Sequence, residues 1–231
     1  MRSGNSIDRL RRQLTRYSLA IMLLASAWSV HAAEPDATQL SAAQLAHRVD
    51  GYYNSLHSLR AQFTESYQGM GIERHEDGEL LLRKPGKMRW NYAQPPGKVF
   101  LLDGKFGWFY SPGDAQAQRI AASRMDDVRS PLRFLLGHTQ IEKEFVNLSL
   151  SRSAGGMELS GIPKGMQERV AGVTLGVTPD GVIHSIVVTE TDGARTAFEF
   201  TAIQPNAPVP DDEFVFHPPA GIPVVDGLPP I

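Results

Sequence analysis

Gly78-Glu79-Leu80-Leu81-Leu82-Arg83-Lys84-Pro85-Gly86-Lys87-Met88-Arg89-Trp90-Asn91-Tyr92 is the stretch that decides the fold class. Leu80 and Leu82 alternate, and Met88, Trp90 and Tyr92 then alternate with Arg89 and Asn91 between them. A period of two puts successive side chains on opposite sides of an extended chain, so each run reads as a strand with one dry and one wet face. The same period recurs outward in both directions. Phe63, Glu65 and Tyr67 precede the stretch; Phe100 and Leu102, then Phe106, Trp108 and Tyr110, follow it. Farther on, Val146-Leu148-Leu150, Val173-Leu175-Val177 and Phe198-Phe200 interleave with polar or small residues. Asp77-Gly78, Asp103-Gly104, Asp180-Gly181 and Asp192-Gly193 each predict a hairpin turn, because glycine takes a positive φ without steric penalty. About ten or eleven strands in an antiparallel meander are expected, including one near Glu213–Phe216 in a Pro-rich tail.

Two segments read as helices. Ser41 as N-cap with Gln44 three residues later forms a capping box. Leu45, Val49, Tyr52 or Tyr53, and Leu56 follow at helical spacing, giving an amphipathic helix over about 42–57. Ser130 to Gly137 reads as a second, short helix with Pro131 in its first turn. Two short helices for about ten strands cannot cover both sides of a sheet. The apolar face must close on itself, pack on another sheet, or lie beneath the helices. A curved sheet lined with Trp, Phe, Tyr, Met and Leu results, whose side chains either fill a core or line a space that holds a lipid.

The first 32 residues are of another kind. Arg2, Arg9, Arg11, Arg12 and Arg16 precede the 12-residue apolar run Leu19–Val30, and Val30-His31-Ala32 supplies a small-residue cleavage site. This is the pattern of a secretory signal, too short in its apolar part for a spanning helix of roughly 20 residues. Cleavage is expected after Ala32, leaving residues 33–231 as one domain. Loss of five Arg and one Asp from totals of 23 basic and 25 acidic residues leaves 18 and 24, a net charge of about −6. The composition, 42% apolar and 21% charged, is that of an ordinary globular protein. The absence of Cys excludes disulfides, thiolate metal sites, a cysteine nucleophile and an acyl anchor on a mature N-terminal Cys. A mildly acidic, cysteine-free secreted protein points to the periplasm, and the charge gives no footprint for nucleic acid.

The catalytic inventory is sparse. No GxSxG elbow, GxxxxGK[ST] phosphate loop or GxGxxG fingerprint occurs. His75-Glu76-Asp77 lacks the partners of a metal motif, and the remaining His residues are scattered singly. No catalytic residue, metal or cofactor is expected.

With those residues in view, the stretch from Gly78 to Trp90 resembles a signature of the bacterial outer-membrane lipoprotein carrier family. Ser58 to Thr64, Asp103-Gly104-Lys105 leading to Trp108-Phe109-Tyr110-Ser111-Pro112, Pro131 to Leu136, Pro179 to Ile183 and Phe214 to Gly221 fit in the same order. The resemblance implies an incomplete antiparallel β-barrel around a hydrophobic cavity, lidded by short helices. It implies a monomeric periplasmic chaperone whose cargo is acylated lipoproteins. These come from an inner-membrane ABC-type releasing complex and go to an outer-membrane receptor. A lipid-binding sensor, or a carrier of another lipid on the same fold, is the alternative. In the family the basic residue before the proline gates the lid. Here that is Lys84, where Arg is commoner, with Arg83 beside it; Lys lacks the planar fork of Arg, so either residue could serve. Met88, three residues after the proline, falls at the family's transfer position and reads equally as strand core, and Met88→Glu is expected to impair transfer while leaving the fold intact. Trp90, Phe100, Leu102, Trp108 and Tyr110 are the expected cavity wall. Leu132, Phe134, Leu135 and Leu136 form the expected lid segment.

Overall fold

The computed structural model describes residues 40–122, 135–136, 140–153 and 156–227. The expected signal segment, and Leu132 and Phe134 of the expected lid, lie outside the described residues. Helix α1 (Ala42–Ser55) begins as the sequence dictates: Gln44 N–H donates to Ser41 Oγ at 3.2 Å, and Ser41 N–H donates to Gln44 Oε1 at 2.8 Å. Leu45, Ala46, Val49 and Tyr53 make its buried stripe, and the chain turns extended at Leu56. A single helical turn, α2 (Ile141–Glu144), docks beside it, the Ile141 N–H donating to the Asp50 carboxylate at 3.0 Å.

The strands are β1 (Ser58–Gly69), β2 (Ile72–Arg83), β3 (Lys87–Gln94), β4 (Val99–Asp103), β5 (Phe106–Tyr110), β6 (Ala117–Ala121), β7 (Phe145–Ser153), β8 (Gly156–Pro163), β9 (Val170–Val177), β10 (Ile183–Glu190), β11 (Arg195–Pro205) and β12 (Val224–Asp226). All belong to one sheet in the order β12-β6-β5-β4-β3-β2-β1-β11-β10-β9-β8-β7. Two antiparallel meanders, β1–β6 and β7–β11, are joined where β1 pairs with β11. The sheet is mainly antiparallel and open, with β7 and β12 at its edges. It has twelve strands rather than ten or eleven. The expected strand near 213–216 is replaced by a 3₁₀ turn at Asp211–Phe214. The tail instead returns at Val224–Asp226, three residues too short to show alternation, running parallel to β6.

Three of the four expected Asp-Gly turns connect strands, with Gly104, Gly181 and Gly193 all at positive φ. Asp77-Gly78 does not. It sits inside β2, and the hairpin closes seven residues earlier at Met70-Gly71, both at positive φ. Glycine is required at 78 for a different reason. A Cβ there would stand 2.0 Å from the Asn91 carbonyl oxygen and 2.9 Å from Phe63 Cε1, where the β2–β3 register slips.

Register sorts the two sides of the sheet. Leu59, Leu82, Met88, Leu102 and Ile120 share one face with the row Ala61, Leu80, Trp90, Phe100, Phe109 and Gln118. Phe198, Phe200, Ile186 and Leu175 continue that face across β11, β10 and β9, and the stripe of α1 packs on it. The opposite face carries Leu81 and Leu101, covered from Val209 to Phe216 by the tail. Val209 and Phe214 pack on Leu81, and the Phe216 ring stacks on Trp108 at 5.1 Å.

Gly78→Ala should lower stability by about 3 kcal/mol through the forced backbone shift. Gly172→Ala, in β9 with open space around its Cβ, should be near neutral. Urea denaturation of both variants checks the contrast.

Candidate functional site

The face beneath α1 is the largest continuous apolar surface among the described residues. Met88 and Trp90 are each 1% exposed, while Phe100 and Leu102 are half-buried against the same cluster. The Trp90 ring lies 4.6 Å from Phe63 in an edge contact, 5.3 Å from Phe198 and 6.1 Å from Phe200. Three of the five expected wall residues, Trp90, Phe100 and Leu102, therefore stand together with Met88.

Trp108 and Tyr110 do not stand with them. The register pairs Leu101 with Trp108 and Val99 with Tyr110, which puts both rings on the tail-covered face. Strand β5 reads Phe-Gly-Trp-Phe-Tyr, aromatic on both sides, and alternation alone does not say which side is inward. Trp108 is held there by its Nε1–H donating to Asp103 Oδ2 at 2.8 Å. The inward residue is Phe109, stacked on Phe100 at 4.8 Å. Phe63, Phe198 and Phe200 were legible as strand residues, but the β1–β2–β3 register brings Phe63 to Trp90, and the β1–β11 pairing adds Phe198 and Phe200.

Side-chain hydrogen bonds tie the cover to the sheet, and Arg48 of α1 donates to the Pro179 carbonyl at 2.6 Å. Lys84 Nζ donates to the Tyr53 carbonyl in the last turn of α1, and Lys84 N–H donates to the His57 carbonyl at 2.9 Å. Burial holds the Lys84 ammonium below its ordinary pKa. Farther along, Tyr53 Oη accepts from Ile183 N–H at 3.2 Å, and burial pushes that phenol's pKa up. Arg83 turns the other way, donating to the Val209 carbonyl at 2.9 Å and pairing with Asp211 at 3.3 Å. Of the two candidate gating residues, Lys84 reaches the helix and Arg83 the tail. Leu135 is buried in the same cluster as α1, and Leu136 packs against it.

Away from Lys84 the face turns polar. Tyr92 Oη donates to Glu65 Oε2 at 3.0 Å, and Lys98 Nζ donates to the nearly buried Glu76. Burial raises the Glu65 pKa, against the opposing pull of Lys98 and the Tyr92 hydrogen bond. Among the described residues no cluster of His, Asp and Glu could hold a metal, and no helix is long and apolar enough to cross a membrane.

The profile of the family described as "Outer membrane lipoprotein carrier protein LolA" matches residues 54–217. The chain belongs to the outer-membrane lipoprotein carrier family. Proteins named outer-membrane lipoprotein carrier protein from Chromobacterium violaceum and Nitrosospira multiformis are 30% and 28% identical, over 74% and 75% of this chain and 82% and 84% of theirs. Among solved structures, an uncharacterized conserved protein from Thermus thermophilus shares the fold, with a TM-score of 0.51 at 14% identity, covering 80% of this chain and 98% of that one. The match to the carrier family begins at Asn54, near the end of α1, and ends in the tail, so it takes in Lys84, Met88 and the strands of the α1-covered face, with most of α1 preceding it. One expectation from the carrier resemblance changes on geometry. Met88 is fully buried, so a glutamate there would be withdrawn from water without a partner and cannot leave the fold undisturbed.

Lys84→Ala should speed amide exchange in α1 about fivefold, the loss of one hydrogen bond, while Arg83→Ala leaves it unchanged. Hydrogen exchange read by mass spectrometry separates the two. For Glu65 the folded pKa lies above the unfolded one, so its contribution to stability is complete at acid pH. It is lost as pH rises from the unfolded value of about 4.3 through the folded one. Glu65→Gln should therefore raise the neutral-pH melting temperature and flatten the decline above about pH 4.

Proposed function

We propose that this protein is a periplasmic carrier that shields the acyl chains of lipoproteins on the sheet face beneath α1. It would accept them from an inner-membrane ABC-type complex and release them to an outer-membrane receptor. The observation that carries this reading is a continuous apolar face whose cover is a separate helix fastened by side-chain hydrogen bonds. Each CH₂ removed from water is worth about 0.8 kcal/mol, so one long acyl chain exposed in the periplasm costs on the order of 10 kcal/mol.

The closed state supports the same reading. Leu45, Val49 and Tyr53 of α1 already fill the face, so an arriving acyl chain exchanges one apolar contact for another. Such an exchange is close to balanced and needs no energy source in the carrier. Direction would come from the donor and acceptor. Lys84 would act as the latch, because it joins the β2–β3 turn to the end of α1, and Arg83 would anchor the tail.

Residues 33–231 added to spheroplasts should release a triacylated lipoprotein as a one-to-one soluble complex and leave its unacylated control behind. Release of neither, with a matched and active transporter, would point to a sensor or to another lipid. Met88→Glu should be destabilised and lose release, while Met88→Leu should keep both near normal.

A further inference from the structure

Trp90 is 1% exposed, and its Nε1–H is buried with no hydrogen-bond partner among the described residues. Leaving a donor in that state costs about 1–3 kcal/mol, and phenylalanine would fill much of the same space without that penalty. The buried side-chain atoms left unpartnered among the described residues are Trp90 Nε1 and Gln118 Oε1. Both lie on one cross-strand row of one face, running Leu80, Trp90, Phe100, Phe109, Gln118.

Position along β3 says what kind of ligand would satisfy the donor. Two residues toward Lys84, Met88 meets Leu82 and Leu102 on a wholly apolar row. Two residues the other way, Tyr92 meets Glu65, with Lys98 and Glu76 alongside. Trp90 stands at the border between hydrocarbon and charge. An acyl chain has the same order: hydrocarbon, then a carbonyl oxygen that accepts but cannot donate, then a polar head.

We propose that Trp90 Nε1–H donates to the carbonyl oxygen of a bound acyl ester, fixing how deep the lipid sits. This rests on the carrier reading and adds a recognition element to it. The hydrocarbon runs over Met88, Leu82 and Leu102 once α1 has lifted, and the head emerges beside Tyr92, Glu65 and Lys98. Depth is then set by a hydrogen bond rather than by chain length, so acyl groups of different length share one register.

The test compares two probes: a bis(palmitoyloxy)propyl-cysteinyl peptide with ester carbonyls, and its dihexadecyl ether counterpart without them. Each displaces an apolar fluorescent dye from residues 33–231. The wild-type protein should favour the ester by about tenfold, and Trp90→Phe should bring the ratio near one without changing ether affinity. In ¹⁵N-indole spectra of the wild-type protein, the Trp90 N–H proton should move downfield with the ester and not with the ether, a readout that needs no variant. Equal wild-type affinities, an ester preference that survives Trp90→Phe, or an unmoved indole proton would overturn the hydrogen bond while leaving the carrier intact. Failure of both probes to bind would overturn the carrier reading itself.

Discussion

A twelve-stranded open sheet has two sides to keep from water, and this chain covers them by different means. The far side is strapped down by its own tail. Lys87 pairs with Asp211 at 2.5 Å, Arg89 donates to the Glu213 carbonyl at 2.7 Å, and Arg119 holds Asp226 through two hydrogen bonds of 2.8 and 3.1 Å. Those contacts run along the strap from the 3₁₀ turn to β12. The near side has α1, fourteen residues long, tied to its surroundings through Lys84, Tyr53, Asp50 and Arg48, the last donating to the Pro179 carbonyl at 2.6 Å. Both covers carry several side-chain ties; they differ in that the strap ends as a strand of the sheet, β12, while the helix stays a separate element. In the proposed carrier that difference would let the helix-covered face open while the tail-covered face stays shut.

How much of this was legible depends on whether a feature is local. The capping box at Ser41 and Gln44 is fixed within four residues, and it formed as read. The Asp103-Gly104 turn is equally local: Asp103 Oδ1 accepts from the N–H groups of Lys105 and Phe106, both at 2.7 Å. Asp77-Gly78 offers the same dipeptide, yet its glycine answers to Asn91 on the neighbouring strand, a contact no local pattern contains. Strand β5 went astray for a related reason, since a run aromatic on both sides carries no sign of which side is inward. Arg83 and Lys84, adjacent in sequence, could be separated only once the tail and the helix were placed on opposite faces. The orphaned indole of Trp90 was out of reach entirely, because being unpartnered is a property of the packed surroundings.

The polar end of the face also follows from register rather than composition. Glu65 lies opposite Glu76 across β1 and β2, an unfavourable pairing if both were bare. Lys98 and Tyr92 stand against them from β3 and the turn before β4, and together they make a charged border tolerable beside an aromatic cluster. In the proposed carrier the border would favour a ligand with a polar end, which matches the whole length of the face.

A cover that competes with its ligand must be neither tight nor loose. Apparent affinity falls by the fraction of molecules in the open state, so every increment of latch strength is subtracted from uptake. A latch that is too weak exposes an apolar face large enough to cause association. Lys84 supplies one compact charge on a flexible stem, with its ammonium already disfavoured by burial, where an arginine could spread several donors over the helix end. In the proposed carrier the lysine would therefore shift the balance toward opening. Beside the hydrogen bonds of Tyr53, Asp50 and Arg48, the hold on α1 is the packing of Leu45, Val49 and Tyr53, which is the same kind of contact that an acyl chain would replace. In such an arrangement the hydrocarbon of the cargo supplies most of the free energy that displaces the helix, and the latch decides how often the helix offers the opportunity.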